Sequence, residues 1–138
     1  MKHVLFDSDV LLDVLAQRQP FAIASAQALS TATQPQVQGY ISGHAVTNIF
    51  YILHRQVGSE TARELLSRLL QHLQVASVTD VVIRAALQSS MTDFEDAVTS
   101  EAANVAGVEV IVTRNKSDFT ASAIPALLPD EFLAIPLE

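Results

Sequence analysis

No cysteine occurs in the 138 residues. That excludes a disulfide scaffold and any thiolate metal site, and it suits a reducing cytoplasm. No apolar run approaches the roughly 18 residues that a membrane span requires, and the N-terminal stretch turns acidic at Asp7, too early for a signal peptide. A soluble, cytoplasmic protein with no membrane partner is expected. Positive charge is scarce: 8 Lys and Arg face 15 Asp and Glu, for a net charge of −7. This excludes a protein that coats nucleic acid by bulk charge. It leaves room for a nuclease, because divalent cations offset an acidic site locally. Repeats, low-complexity tracts and linkers are also absent, so one domain over residues 1–138 is expected.

What the chain has is hydrophobic residues, 49% of the total, enough for a full core and for a helical face buried against a second subunit. Val4-Leu5-Phe6 reads as a short buried strand, and Asp9 to Ala16 as a short helix. Phe21 to Thr31 is an Ala-rich helix and Val37 to Ile41 a strand. Two helices follow, His44 to Gln56 and Ser59 to His72, with Ser59 as N-cap and apolar residues at helical spacing through Leu65, Leu66, Leu69, Leu70 and Leu73. Val75 to Val78 is a strand, and Thr79-Asp80 caps a helix to about Ser89. A helix opening at Thr92 runs to Ala106 and stops at Gly107, and Val108 to Thr113 is a buried strand. Ala123-Ile124-Pro125 reads as an edge strand and Pro129 to Leu133 as a last helical turn. Strands alternating with helices imply βαβ units: a three-layer α/β/α sandwich on a mostly parallel sheet of four or five strands.

Right-handed crossovers put the carboxyl ends of such strands on one rim, where ligands and catalytic residues gather. Three segments deliver acids there. Asp7-Ser8-Asp9 ends the first strand, and Thr113-Arg114-Asn115-Lys116-Ser117-Asp118 follows the fourth. The third is Thr92-Asp93-Phe94-Glu95-Asp96 at the helix start. There Thr92 and Glu95 match a capping box and Asp93 suits the helix dipole, which leaves Asp96 without a structural duty. Carboxylates gathered without cations repel, which raises pKa values or recruits metal. Oxygen ligands with no His or Cys in these motifs favour magnesium or manganese, and phosphodiester hydrolysis is the natural chemistry. His3, His44, His54 and His72 are scattered through different elements and read as surface or packing residues. Arg55, Arg114 and Lys116 are candidates for nucleic-acid phosphate contacts, with Arg18 the weaker one.

These motifs match a family. Val4-Leu5-Phe6-Asp7-Ser8-Asp9-Val10-Leu11-Leu12-Asp13 resembles the opening motif of PIN-domain ribonucleases. Asp93-Phe94-Glu95-Asp96-Ala97-Val98 is similar to their third acidic motif, and Val112 to Phe119 to their fourth. Pro129 to Leu133 resembles the tail of many of these domains. The resemblance implies a magnesium- or manganese-dependent endoribonuclease, often a homodimer, with many stand-alone bacterial members acting as VapC-like toxins held by a small antitoxin. Carried over by motif, Asp7 and Asp96 are direct metal ligands and Asp118 completes the site. Thr113 and Asn115 would support it, together with Asp9, Asp93 and Glu95. One position departs: the family usually places an acid near the start of the helix after the second strand, and here Asn48 stands there. Two alternatives stay open. The fold could carry a lapsed site and serve as an RNA- or protein-binding module. Phe6-Asp7-Ser8-Asp9 also resembles the nucleophile motif of aspartyl phosphatases, in which Asp7 would attack a phosphoryl group, although Val10-Leu11 replaces that family's usual Gly-Thr pair.

Overall fold

Alternation along the first strand sorts its side chains between two cores. In the computed structural model, which describes residues 1–137, β1 (Lys2–Phe6) sends Val4 and Phe6 to one face and Leu5 to the other, all fully buried. A strand with no solvent face must lie inside a sheet covered on both sides. β1 is indeed central. The order is β3-β2-β1-β4-β5, with β2 at Val37–Ser42, β3 at Leu73–Ala76, β4 at Val110–Val112 and β5 at Ala126–Leu127. All neighbouring pairs are parallel. The expected three-layer α/β/α architecture is present, with five strands and every pairing parallel.

On the Phe6 face lie α1 (Ser8–Leu15), α2 (Ala22–Ser30), α3 (Gly43–Val57), α4 (Ser59–Leu69) and α7 (Pro129–Leu133). The other face is covered by α5 (Asp80–Leu87) and α6 (Phe94–Ala106). Small side chains let α6 approach closely: Ala97, Ala102 and Ala103 are buried against Leu5, Tyr40 and Ile111. Phe132 meets the Phe6 ring edge-on at 6.3 Å, so α7 closes the first core. At Gly39 in β2 the approach is tighter still. A Cβ there would lie 2.5 Å from a methyl of Leu73 and 2.9 Å from Ala32 Cβ.

Some boundaries differ from expectation. The last strand begins after Pro125, at Ala126–Leu127, because the backbone pairs there with Ile111 and Val112. β3 starts at Leu73, earlier than Val75, since Leu73 pairs with Gly39; α4 accordingly ends at Leu69, before His72. Gly58, at φ 83°, occupies the N-cap of α4 in place of Ser59. Gly107, at φ 78°, ends α6 in the left-handed region, where a residue without Cβ is least strained. No helix among the described residues is long and apolar enough to cross a membrane.

Candidate active site

Because the sheet is parallel, the carboxyl ends of β1, β2 and β4 share one rim, and the acids collect there. Asp7 leaves β1 and caps α1. Its Oδ1 accepts from the Ser8 amide at 2.9 Å, and its Oδ2 accepts from the Thr113 hydroxyl at 2.9 Å. Only 9% of Asp7 is exposed. Burial, with repulsion from Asp9 next, pushes its pKa up to about 7 against those two hydrogen bonds. Each of its oxygens still has a free lone pair to offer.

Asp9 is differently placed. Its Oδ1 accepts from the Val10 amide, while its Oδ2 accepts from the Arg114 amide at 3.1 Å and the Asn115 side-chain amide at 3.0 Å. Burial raises its pKa, and those main-chain bonds lower it. Asp9 thus ties α1 to the loop after β4. Acid–base work of the aspartyl-phosphatase kind needs a second Asp free to move a proton, and this carboxylate is already occupied.

From across the rim α6 brings the third acidic segment, with a correction to the expected cap. Asp93, not Thr92, is the N-cap: its Oδ1 accepts from the Asp96 amide at 3.0 Å, and the helix begins at Phe94. Glu95 and Asp96 therefore lie in the first turn. Thr92 sits outside the helix, lining a hollow of about 290 Å³ with Met91, Asp93, Ser117 and Asp118. Burial, then repulsion from Asp93, Asp118, Asp9 and Glu95, pushes the Asp96 pKa up to about 6. Asp96 and Asp7 also repel each other. The structure thus gathers Asp7, Asp9, Asp93, Glu95, Asp96 and Asp118 into one electrostatic cluster.

Asn48, one turn into α3, donates to Glu95 Oε2 at 3.3 Å. The position that departs from the family pattern therefore faces the cluster. His44, which the sequence reading set aside, also belongs to this wall. Its Nδ1 is 2.7 Å from Ser42 Oγ, and burial holds its pKa below the ordinary value against the opposing pull of Glu95. Only its place in the first turn after β2 could have flagged it.

Asn115 is at the site through Asp9, and Thr113 through Asp7. The cations are engaged elsewhere. Lys116 is paired with Glu131 at 3.0 Å. Arg114 turns inward, so phosphate contact is not the role its geometry favours: its Nε and Nη2 bind the two oxygens of Asp13 at 2.7 and 3.2 Å, and its guanidinium lies 3.9 Å over the Phe21 ring. Asp13 is wholly buried, and removing its partner would cost roughly 3–5 kcal/mol. Arg55 is exposed two turns beyond Asn48 on the same side of α3, about 10 Å further along the helix.

This donor set fits a hard divalent cation. It offers carboxylate oxygens and no thiolate, its one neighbouring imidazole, His44, is taken up with Ser42 and Glu95, and its nearest cations are spent on Asp13 and Glu131. Among the described residues no three acid or histidine side chains stand close enough to grip one ion unaided. One or two carboxylates with several waters is the usual magnesium arrangement.

Comparison with known proteins agrees with this layout. The PIN domain sequence model matches residues 3–117. No curated protein sequence matches the chain. Among solved structures, a toxin–antitoxin complex from Klebsiella pneumoniae superimposes with a TM-score of 0.70 at 22% identity, covering 91% of this chain and 97% of that one. VapBC2 from Rickettsia felis, bound to a promoter DNA fragment, gives 0.69 at 10% identity over 91% and 98%. VapC20 from Mycobacterium tuberculosis, a toxin that cleaves the sarcin–ricin loop, gives 0.63 at 15% identity over 78% and 86%. At such identities these likenesses carry the fold.

Proposed function

The chain belongs to the PIN-domain family, and from that premise we propose that it is a divalent-metal-dependent endoribonuclease, acting as one domain in the cytoplasm as the toxin of a toxin–antitoxin pair. The observation that carries the reading is the placing of Asp7 and Asp96 on one rim, each with its pKa raised first by burial and then by the neighbouring carboxylates. Similarity to toxin–antitoxin complexes and to an RNA-cleaving toxin supports the pairing with an antitoxin and the choice of RNA. A homodimer is the expected assembly, two-fold dimers being the commonest.

In this reading Asp7 and Asp96 hold Mg²⁺ or Mn²⁺, with Asp118 completing the set. The bound ion supplies Lewis acidity for water and for the scissile phosphodiester. The remaining work falls to the chain. Thr113 fixes Asp7 by donating to Oδ2, and Asp93 fixes the first turn of α6 through the Asp96 amide. Asn48 orients Glu95. Asp9 and Asn115 hold the loop that carries Asp118. The oxygen of water forms a new bond to phosphorus and gives up a proton to solvent as the bond to the leaving ribose oxygen breaks and that oxygen takes a proton from solvent, with no covalent enzyme intermediate. Arg55 lies where it can meet a phosphate further along the strand, and Lys116 can do so on releasing Glu131.

Asn48 in place of an acid is the observation that favours a lapsed binding module as the second reading. Calorimetric titration with Mn²⁺, followed by incubation with a mixed RNA pool, separates the two. Metal binding with chelator-sensitive cutting supports the nuclease. RNA or protein binding that is unchanged in metal-free buffer, with no Mn²⁺ heat and no cutting, supports the module.

A further inference from the structure

The opening motif contains a third acid, Asp13, set behind the cluster: its charge reaches Asp9, but its oxygens bond only to Ser25 and Arg114. It lies one turn beyond Asp9 on α1, is wholly buried, and accepts from Ser25 Oγ at 3.1 Å as well as from the Arg114 fork. Ser25 is itself fully buried on α2, and Phe21, just before α2, supplies the ring beneath the guanidinium. Two elements therefore converge on one side chain of the loop that follows β4.

The backbone of that loop feeds the site directly. The Arg114 amide donates to Asp9 Oδ2, the Asn115 amide donates to Thr113 Oγ1 at 3.0 Å, and the same hydroxyl donates to Asp7 Oδ2. Three consecutive residues, Thr113, Arg114 and Asn115, thus dock on Asp7, Asp9 and Asp13, which rise along the start of α1. A planar guanidinium gripped along one edge by both oxygens of Asp13 and stacked on one face has little freedom left, unlike an ammonium on a flexible stem.

We infer that the Asp13–Arg114 pair, seated on Phe21 and Ser25, is a positioning device for the metal site: it sets the height of the Thr113–Asn115 loop on α1, and through the Thr113 hydroxyl the direction in which Asp7 presents its carboxylate. This rests on the nuclease reading. Neither Asp13 nor Arg114 touches substrate; both act through Thr113 and Asp9. Groups that orient a metal ligand from behind are typically worth about 10- to 100-fold in affinity or activity.

The test must separate positioning from mere stability. A buried ion pair replaced by apolar side chains of similar volume often leaves a protein as stable or more so. The variant Asp13→Leu/Ser25→Ala/Arg114→Met makes that exchange. We expect it to melt near the wild type, yet to bind Mn²⁺ at least tenfold more weakly by calorimetry, to cut RNA at least tenfold more slowly, and to exchange the amide proton of Asn115 at least tenfold faster. Wild-type Mn²⁺ affinity, cutting and amide protection in that variant would overturn the inference while leaving the nuclease reading intact. Should the triple variant not fold, Arg114→Lys decides: it keeps the charge and loses the fork and the stack. Weakened Mn²⁺ binding there supports the inference, and unchanged binding overturns it. A wild type that neither binds Mn²⁺ nor cuts RNA removes the nuclease reading and this inference with it.

Discussion

Replacing Asp7 with Asn should stabilise the metal-free protein while abolishing its activity. In the folded chain the Asp7 pKa is pushed up from 3.8 to about 7, mainly by burial and then by Asp9. A raised carboxylate pKa makes a stabilising contribution that is complete below the unfolded value and is lost as pH rises through the folded one. Metal-free wild type should therefore weaken between about pH 4 and pH 7 and stay weakened above. The span corresponds to a burden on the order of 4 kcal/mol at pH 8, from about 1.4 kcal/mol per unit. Asn removes the charge and keeps the geometry: its Oδ1 can still accept from the Ser8 amide, and its amide can donate to the Thr113 hydroxyl, which then turns to Asp9. For a domain of this size the gain is roughly 10 °C in melting temperature at pH 8 in chelator. The assay is calorimetric melting of both proteins at about pH 4 and pH 8, with EDTA or with Mn²⁺. The expected pattern is a large gain for Asp7→Asn at pH 8, almost none at pH 4, and a melting rise with Mn²⁺ only in the wild type. A variant less stable than wild type at pH 8, or a gain equally large at pH 4, would refute the electrostatic reasoning.

Three further outcomes follow from the same geometry. Protons compete with metal for Asp7 and Asp96, whose pKa values stand at about 7 and about 6, so calorimetric Mn²⁺ affinity should rise from about pH 5 to pH 8. Asn48→Asp places one more carboxylate beside Glu95, and should tighten Mn²⁺ binding severalfold while lowering metal-free stability at pH 8. Gly39→Ala puts a methyl group into contact with Leu73 and Ala32, and should cost about 1–3 kcal/mol in urea unfolding with the metal site unchanged.

The parallel sheet was legible because Val4-Leu5-Phe6 in β1 and Val110-Ile111-Val112 in β4 are unbroken apolar runs with no solvent face, and because Asp7 interrupts the first of them abruptly. The acidic rim followed from topology alone. Less accessible was any feature decided by a partner far along the chain. Thr92–Glu95 and Asp93–Asp96 have the same spacing, and local chemistry does not choose between them; in the fold the Asp93 carboxylate takes the cap. Leu73 continues a helical stripe in sequence, but pairing with Gly39 claims it for β3. Arg114 read as a phosphate contact because an arginine in a loop beside acids is usually free. Its partner Asp13 lies on another element and is completely buried, which the motif does not disclose. His44 was passed over for the converse reason: nothing beside it in sequence marks it as a neighbour of Glu95.

Asp96, a first-turn acid whose own side chain caps nothing, gives the most direct test. Purified wild type and Asp96→Asn should be incubated with a mixed RNA pool in Mn²⁺, Mg²⁺ or chelator, with circular dichroism to establish that both are folded. A metal-dependent nuclease with Asp96 in its site cuts as the wild type in at least one metal, does not cut in chelator, and loses at least a hundredfold in the variant. Cutting that persists in chelator, or at the wild-type rate in folded Asp96→Asn, would contradict this reading.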